Sequence, residues 1–350
     1  MSSKLTFASD YMEGAHPEIL KRLAETNLVP APGYGTDEVC QAAREKIRAA
    51  CAAPRAAVHF LVGGTQTNAT VIDALLRPWQ GVIAAESGHI SLHEAGAIEF
   101  GGHKVLTLPH TLGKLEASAV RACCESYWAD GNREHMVTPG MVYISHPTEY
   151  GALYSLRELE ELHAVCRDYD IPLYLDGARL AYALACGESD VDLPDLARLC
   201  EVFYIGGTKC GALLGEAVVA PDPDRLPRFF TVMKQHGALL AKGRLLGIQF
   251  DTLFTGGLYH RIGRPALEAA DALRALFLEE GFDLPLVTPT NQVFVRLENG
   301  LMERLAEQVE FSFWERDGAD HTVLRFAASW ATPMENVKKL RVALDAVRPH

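Results

Sequence analysis

Seven short apolar segments recur through the first two-thirds of the sequence, and most are separated by stretches long enough for a helix. They occupy residues 57–62, 81–85, 105–108, 141–145, 173–175, 202–205 and 217–220. Several are apolar throughout, as strands covered on both faces are. This pattern predicts an α/β domain built on a mainly parallel seven-stranded sheet.

The intervening segments carry signals for helix ends. Residues 156–168 have a helical period and follow Ser155, with Glu158 at the spacing of a capping box. Open α/β sheets bind ligands in the loops that follow the carboxyl ends of their strands. We therefore expect the functional residues in those loops.

The strand and helix pattern changes after about residue 254. Residues 255–258 interrupt it, an Ala/Leu-rich helix is predicted for 265–280, and strands are predicted for 292–297 and 322–327. A last helix is predicted for 334–347. The sequence thus predicts a large domain over residues 1–254, including the N-terminal segment, and a small C-terminal α+β domain over 255–350.

Composition excludes several classes of protein. The net charge of −12 disfavours nucleic acid, whose phosphates require clustered Lys and Arg. The N-terminus has no apolar signal core, and no apolar run approaches the length of a membrane span, so a cytoplasmic location is expected. The eight cysteines form no C-x-x-C pair and no Cys/His metal spacing, which predicts reduced thiols and no metal site.

Two strand ends carry residues suited to one cofactor. Asp176 follows the apolar run at 173–175, and Lys209 follows the run at 202–205 within a glycine-rich turn. Taken alone, the aspartate could be a helix cap or an ion-pair partner, and the lysine a surface charge. Together they suit pyridoxal 5′-phosphate (PLP), whose ring nitrogen requires a carboxylate and whose aldehyde requires an amine.

Two further loops carry weaker signals. Gly64 and Thr65 lie in a glycine-rich turn that opens a helix, where backbone amides can bind a phosphate, although an ordinary strand-to-helix loop has the same composition. His89 follows another strand and could stack on a flat cofactor, move protons or serve as a structural hydrogen bonder.

With these residues in place, the sequence resembles the L-threonine aldolase group of the fold-type-I PLP enzymes, within the β-eliminating lyases. The resemblance runs nearly the full length and is most specific in the Asp176-Gly177-Ala178-Arg179 strand end followed later by Gly207-Thr208-Lys209. It implies a fold-type-I, transferase-like large domain and a small C-terminal domain. Other matching segments are Ser9-Asp10, Pro32–Gly35, Thr290–Phe294, Leu324-Arg325 and Ser329-Trp330.

The resemblance also implies a role for each matching residue. Lys209 would hold the cofactor as a Schiff base, Asp176 would face the pyridine nitrogen, and His89 would stack on the ring. The remaining implied roles are phosphate contacts for Gly64, Thr65 and Thr208, substrate carboxylate contacts for Ser9, Arg179 and Arg325, with Arg179 also beside the cofactor, and a place near the active site for Tyr34. Lys234 and Lys242 resemble a basic segment that a neighbouring subunit lends to the cofactor site, so a homo-oligomer, dimer or tetramer, is implied.

The sequence departs from many family members at one catalytic position. A Thr-His-Asn stretch, whose histidine is thought to act on the substrate hydroxyl, is replaced here by Thr148-Glu149-Tyr150. This resembles a second branch of the family with Thr-Glu at that place, and it makes Glu149, His89 or a bound water the candidate base. The basic segment departs too, because it offers Lys242 in place of a glycine-rich Met-Arg-Gln stretch.

The implied function is a lyase that cleaves L-threonine, L-allo-threonine or a related β-hydroxy-α-amino acid to glycine and an aldehyde. Three alternatives stay open at this point. They are another PLP-dependent reaction (β-elimination, transamination or racemisation), a non-catalytic α/β binding protein, and a nicotinamide-dependent dehydrogenase, which the absence of G-x-G-x-x-G disfavours. The preferred aldehyde and the threo or allo preference are left undetermined.

Overall fold

The structure is a computed structural model that describes residues 4–348. Its strands are β1 (Leu5–Thr6), β2 (Ala57–Leu61), β3 (Gln80–Ala85), β4 (Val105–Leu108), β5 (Thr138–Ser145), β6 (Leu173–Asp176), β7 (Val202–Gly206), β8 (Glu216–Ala220), β9 (Gln292–Glu298), β10 (Val309–Glu310), β11 (Ser312–Asp317) and β12 (His321–Ala327).

Fifteen α-helices lie within residues 4–348. They are α1 (Pro17–Thr26), α2 (Glu38–Ala50), α3 (Gly64–Leu75), α4 (His89–Leu92), α5 (Ala97–Phe100), α6 (Ala117–Ala129), α7 (Leu156–Asp168), α8 (Leu180–Ala185), α9 (Leu193–Leu199), α10 (Phe229–Gln235), α11 (Arg244–Leu253), α12 (Leu258–Arg261), α13 (Arg264–Glu279), α14 (Asn299–Leu305) and α15 (Met334–Val347). Short 3₁₀ turns lie at Arg133–His135 and Pro223–Arg225.

The central sheet has seven strands in the order β2-β8-β7-β6-β5-β3-β4. Each of the seven apolar runs supplies one of them, which confirms the predicted sheet. Strand β8 pairs antiparallel with both β7 and β2. Strand β8 runs antiparallel to β7 because the connection from Gly206 to Glu216 is too short for the crossover that a parallel neighbour requires.

Helices cover both faces of this sheet, and the core lies between them and the strands. Strands β6, β7 and β8 are buried at every position, as expected of a sheet covered on both faces. Helix α7 begins at the predicted residue: the Ser155 side chain accepts from the Glu158 amide, and the Glu158 carboxylate accepts from the Ser155 amide. The capping box predicted from the sequence is therefore confirmed.

The C-terminal part forms a separate antiparallel sheet in the order β11-β12-β9. Strand β11 was not predicted, because its side chains are mostly exposed and its sequence, Ser312–Asp317, is largely polar. The N-terminal residues, which the sequence analysis grouped with the large domain, contact the C-terminal part, since Leu5 and Thr6 pair with Val309 and Glu310 in a separate two-stranded sheet. The boundary at residue 254 stays a prediction.

Two negative findings concern the described part of the chain. Between residues 4 and 348, none of the helices combines the length and the apolar character that crossing a membrane requires. Over the same residues, no three His, Cys, Asp or Glu side chains are grouped so that they could hold a metal ion.

Candidate active site

Two adjoining cavities lie at the carboxyl ends of the central strands. The inner cavity has a volume of about 280 Å³ and the outer one about 740 Å³. Five residues line both: Tyr11, His89, Glu149, Arg179 and Lys209. The two cavities therefore form one continuous site around Lys209.

The sheet topology explains why these residues meet. Strand β6 ends at Asp176, β7 leads into Lys209, β5 leads into Glu149, and β3 leads into His89. These four strands run parallel to one another, so their carboxyl ends open on the same edge. The candidate residues therefore lie together at the edge of the sheet that the sequence analysis expected.

Asp176 is a buried carboxylate with four hydrogen-bond donors. Its Oδ2 accepts from Tyr143 Oη at 2.7 Å and from Asn68 Nδ2 at 3.1 Å. Its Oδ1 accepts from Tyr204 Oη at 2.5 Å and from the Ala178 amide at 3.0 Å. Burial raises the pKa of Asp176, but nearby His89 and the tyrosine hydrogen bonds outweigh it and hold the pKa below its ordinary value. The carboxylate is thus kept ionised inside the protein.

Lys209 presents its amine to the same cavity. Burial lowers the pKa of Lys209, the neighbouring Arg179 lowers it further, and the carboxylates of Asp10 and Asp176 offset part of the effect. The Lys209 backbone carbonyl accepts from Tyr182 Oη at 2.5 Å, which fixes the turn. A lowered pKa favours the neutral amine, which is the form that condenses with an aldehyde.

The N-terminus of α3 closes one end of the inner cavity. Gly63 is its N-cap and provides no side-chain cap, so the first-turn amides of Gly64 and Thr65 stay open to a ligand. A Cβ on Gly64 would lie 3.2 Å from Tyr204 Oη, so a larger residue would crowd this end. Thr208 lines the same end, and its Oγ1 accepts from the Gly215 amide at 3.0 Å.

His89 is held by a buried acidic residue that the sequence analysis did not single out. His89 Nδ1 lies 2.7 Å from Glu94 Oε1, and the same oxygen accepts from Asn68 Nδ2 at 2.7 Å. Since Asn68 also donates to Asp176, a chain of hydrogen bonds joins the imidazole to the aspartate. The arrangement fixes the position of the His89 ring at the cavity wall.

Glu149 is buried and lines both cavities. Its Oε1 accepts from Ser145 Oγ at 2.7 Å and from the His89 amide at 2.9 Å. Burial raises the pKa of Glu149, and the Ser145 hydrogen bond offsets only part of that rise. The raised pKa makes the ionised carboxylate a stronger base than an exposed glutamate, which suits a general base.

Arg325 lies in the outer cavity without a carboxylate partner among residues 4–348. Its Nη1 donates to Gln292 Oε1 at 3.2 Å, and its buried Nε has no hydrogen-bond partner. Arg325 Nη2 donates to the Ala8 carbonyl at 3.5 Å, and the Oγ of the next residue, Ser9, is buried and unpartnered, although Ser9 lines neither cavity. Burial, followed by repulsion from Arg179, lowers the pKa of Arg325 to about 10, which leaves it a cation at neutral pH.

Arg179 differs from Arg325 because its charge is already neutralised. Its Nε donates to Asp10 Oδ2 at 2.6 Å and its Nη2 donates to Asp10 Oδ1 at 3.1 Å. Only Nη1 is free of protein partners within the described chain. Of the two arginines, Arg325 therefore has the greater capacity to bind an added carboxylate.

Tyr34, Lys234 and Lys242 do not line the cavity around Lys209 of their own chain. Lys234 Nζ lies 4.6 Å from the centroid of the Tyr34 ring. The Tyr34 amide donates to the carbonyl of Ala241, next to Lys242. The three residues thus belong to one surface region, formed by segments 33–35 and 234–242, which is separate from the cavity.

Several residues of the site could not be recognised in the sequence. Tyr143 and Tyr204 sit inside apolar strands and look like core residues, and Glu94 looks like an ordinary helix-loop acid. Asn68 carried one weak signal, because it follows Gly64 by one helical turn and so faces the same side of α3. The others needed the tertiary structure.

Comparison with known proteins decides the family. The model of the β-eliminating lyase family matches residues 6–322. The chain belongs to the β-eliminating lyase family. Within this family it groups with the threonine aldolases, since a low specificity L-threonine aldolase of Pseudomonas aeruginosa is 30% identical over 340 residues, which are 95% of each chain.

Solved structures agree with the family. The structure of Leishmania major threonine aldolase superposes with a TM-score of 0.94 and 40% identity, covering 98% of this chain and 99% of that chain. Aspartate aminotransferase of Thermus thermophilus has a TM-score of 0.72 at 18% identity, covering 99% and 92%, and shows the shared fold alone. The fold is that of the fold-type-I PLP enzymes, as predicted, and the chain is a PLP-dependent lyase.

The site of this β-eliminating lyase family member fits the cofactor. Asp176 offers an ionised carboxylate to the pyridine nitrogen, Lys209 offers an amine to the aldehyde, and the open amides of Gly64 and Thr65 offer donors to the phosphate. His89 lies at the cavity wall, where an imidazole can face the ring. The roles of the individual residues remain predictions.

Proposed function

We propose that the chain cleaves L-threonine, L-allo-threonine or a related β-hydroxy-α-amino acid to glycine and an aldehyde. The relatives from Pseudomonas and Leishmania are named threonine aldolases, which supports this reaction over others of the same cofactor. PLP supplies an electron sink for the charge left when a bond to the substrate α-carbon breaks. The residues of this chain decide which bond that is.

The unpaired Arg325 carries the proposal. A half-buried guanidinium without a carboxylate is costly, and the carboxylate of an amino acid would compensate it with two charge-assisted hydrogen bonds. Ser9 Oγ, also unpartnered, could donate a third. Holding the carboxylate at this place fixes the rotation of the substrate and so selects the bond that stands perpendicular to the cofactor plane.

The substrate hydroxyl requires a group that accepts its proton. We propose Glu149 for this role, because it lines both cavities and burial raises its pKa above the ordinary value. His89 is the alternative base, and its imidazole is held by Glu94. The Thr-Glu branch assignment depends on Glu149 and is proposed with it.

We also propose that a second subunit completes the site. Tyr34, Lys234 and Lys242 lie outside the cavity of their own chain, whereas the family resemblance assigns them to an active site. The position of these residues and their implied role agree if the protein is a homo-oligomer. In such an oligomer, the 234–242 segment of one chain would reach the cavity of its neighbour. A dimer suffices for this, and the tetramer and a cytoplasmic location stay predictions.

The decisive experiment compares purified wild type with Lys209→Ala in the presence of L-allo-threonine. Wild type should show visible PLP absorbance that cannot be removed by dialysis, and it should release glycine and acetaldehyde in equal amounts. Lys209→Ala should lose the covalent attachment and the turnover. Bound PLP without glycine release would reject the aldolase reaction and keep the cofactor.

Arg325 gives a matched test of substrate orientation. Arg325→Lys retains the charge but not the paired hydrogen bonds, so the KM for L-allo-threonine should rise strongly. Arg325→Gln should be weaker still. Unchanged KM values in both variants would place the substrate carboxylate elsewhere.

A further inference from the structure

A buried glutamate lies between the two loops that form the phosphate end of the inner cavity. Glu216 opens β8 and is 3% exposed. It pairs with Leu61 on β2, which leads into Gly63 and Gly64, and with Gly206 on β7, which leads into Lys209. Glu216 itself lines the inner cavity. No role in the family assignment above uses it.

The carboxyl of Glu216 has hydrogen-bond donors, and the Lys209 amine acts on it electrostatically without forming an ion pair. Its Oε2 accepts from the Gly207 amide at 3.0 Å. No Lys, Arg or His of residues 4–348 forms an ion pair with it. A bound phosphate carries between one and two negative charges at neutral pH. An ionised Glu216 in this position would repel the group that the surrounding amides are arranged to attract.

We propose that Glu216 is protonated in the loaded enzyme and donates a hydrogen bond at the phosphate end of the cavity, so that cofactor binding in alkaline solution takes up one proton. The proposal depends on the cofactor and not on the substrate. If the protein did not catalyse the aldolase reaction, the proposal about Glu216 would therefore still hold. Conversely, its own failure would leave the aldolase reaction untouched.

The surroundings of Glu216 favour the neutral form. Burial raises its pKa to about 8, while the Thr208 hydroxyl, the Gly207 amide and the Lys209 amine offset part of the rise. The titratable groups on the elements packed around it are Lys209, Cys210, Tyr204, Asp176, Tyr174, Tyr259, His59 and Asp73. Burial lowers the pKa of His59 to about 4, so β2 contributes no cation.

The affinity for the cofactor should fall as the pH rises. With the cavity empty, Glu216 begins to lose its proton as the pH rises through about 8. A bound phosphate raises that pKa further, so binding at higher pH must return the proton. The affinity then falls by up to about tenfold for each pH unit above that value, which is the limit for one coupled proton.

The test uses apoenzyme and pyridoxine 5′-phosphate, which has the phosphate but no aldehyde and so keeps Lys209 out of the reaction. Its dissociation constant is measured from tryptophan fluorescence between about pH 7.5 and pH 9.5, where the phosphate is already fully ionised. Wild type is compared with Glu216→Gln, which is isosteric and cannot titrate. The cofactor nitrogen takes up its own proton in both proteins, so the difference between them reports on Glu216.

We expect the affinity of wild type to weaken at least about tenfold more than that of Glu216→Gln over this range. Identical pH dependence in the two proteins would overturn the proposal. That result would follow, for example, if a lysine of a partner subunit formed an ion pair with Glu216. Calorimetry of wild type alone, in buffers of different ionisation enthalpy, covers the case in which the variant does not fold. Near pH 9, the binding of pyridoxine 5′-phosphate should take up about one proton more than the binding of pyridoxine. Equal proton uptake for the two ligands would also overturn the proposal.

Discussion

Asp10 and Arg179 show how burial gives a single ion pair a large effect. Asp10 is fully buried, accepts two hydrogen bonds from Arg179 and a third from Asn291 Nδ2 at 2.9 Å. Burial alone would raise the pKa of Asp10, but Arg179 and Lys209 outweigh it and lower the pKa to about 2. The carboxylate therefore stabilises the fold while it is ionised.

Asp10→Asn is expected to destabilise the protein by about 3 kcal/mol near neutral pH, because it leaves a buried guanidinium unpaired. The pKa of Asp10 is lower in the folded protein, so its contribution is complete above about pH 4 and is lost as the pH falls toward 2. The gap between wild type and variant should narrow by about 1 kcal/mol from pH 5 to pH 3. Urea unfolding at both pH values measures it, and a constant gap would contradict the assignment.

Glu94 acts on the site through His89. Its Oε1 accepts from both His89 Nδ1 and Asn68 Nδ2. Glu94→Ala should release the imidazole and lower kcat on the order of 10- to 100-fold, because a displaced catalytic group loses its alignment. Glu94→Gln keeps one of the two contacts and should retain more activity. If Glu94→Ala turned over at nearly the wild-type rate, the position of His89 would not depend on this carboxylate.

At the scale of elements, the site depends on how closely neighbouring strand ends approach. Gly177 follows β6, and a Cβ there would lie 2.1 Å from the Tyr204 carbonyl oxygen on β7. A Cβ on Gly206 would lie 2.3 Å from the Ala178 carbonyl oxygen. Both contacts are with backbone, which cannot move aside. These glycines allow β6 and β7 to bring Asp176 and Lys209 into one cavity.

Gly177→Ala is expected to reduce the free energy of unfolding by about 3 kcal/mol or more, since the two strand ends must separate. Gly187→Ala is the matched control, because a Cβ at that exposed turn meets nothing within 4 Å. It should be close to neutral. Equal unfolding midpoints for the two variants would show that the strand ends tolerate the separation.

At the scale of the whole molecule, the outer cavity has an apolar rim that one chain leaves uncovered. Tyr11, Leu92 and Phe313 line it and are 58%, 62% and 61% exposed. Large apolar side chains grouped at one place on a surface are typical of an interface. The rim and the separate region of Tyr34, Lys234 and Lys242 are both consistent with the proposed second subunit.

Mixed oligomers test this directly. Lys209→Ala and Lys242→Ala should each be nearly inactive, for different reasons. A hybrid dimer purified through two different tags would pair the intact Lys209 of one chain with the intact Lys242 of the other. Such a dimer has one complete site in two, so about half of the wild-type activity should return. No recovery, or full activity of Lys242→Ala alone, would show that Lys242 does not act across the interface.

The sheet, the edge at which the candidate site lies, and the pairing of a lysine with an aspartate could all be predicted from the amino-acid sequence. Apolar runs and helix caps are local properties, so seven strands and the start of α7 at Leu156 could be predicted from neighbouring residues. The chemistry of Lys209 and Asp176 could be predicted because each residue type suits a particular part of the cofactor. Polar strand β11 could not be predicted, because exposure removes the hydrophobic signal.

Contacts between residues far apart in the chain could not be predicted in this way. Asp10 and Arg179 are 169 positions apart in the chain, and Glu94 contacts Asn68 across 26 positions. Such pairs depend on strand order and on the packing of the small domain, which no local pattern encodes. The raised pKa values of Glu149 and Glu216 have the same origin, because the pKa of a carboxyl depends on what the whole fold places around it.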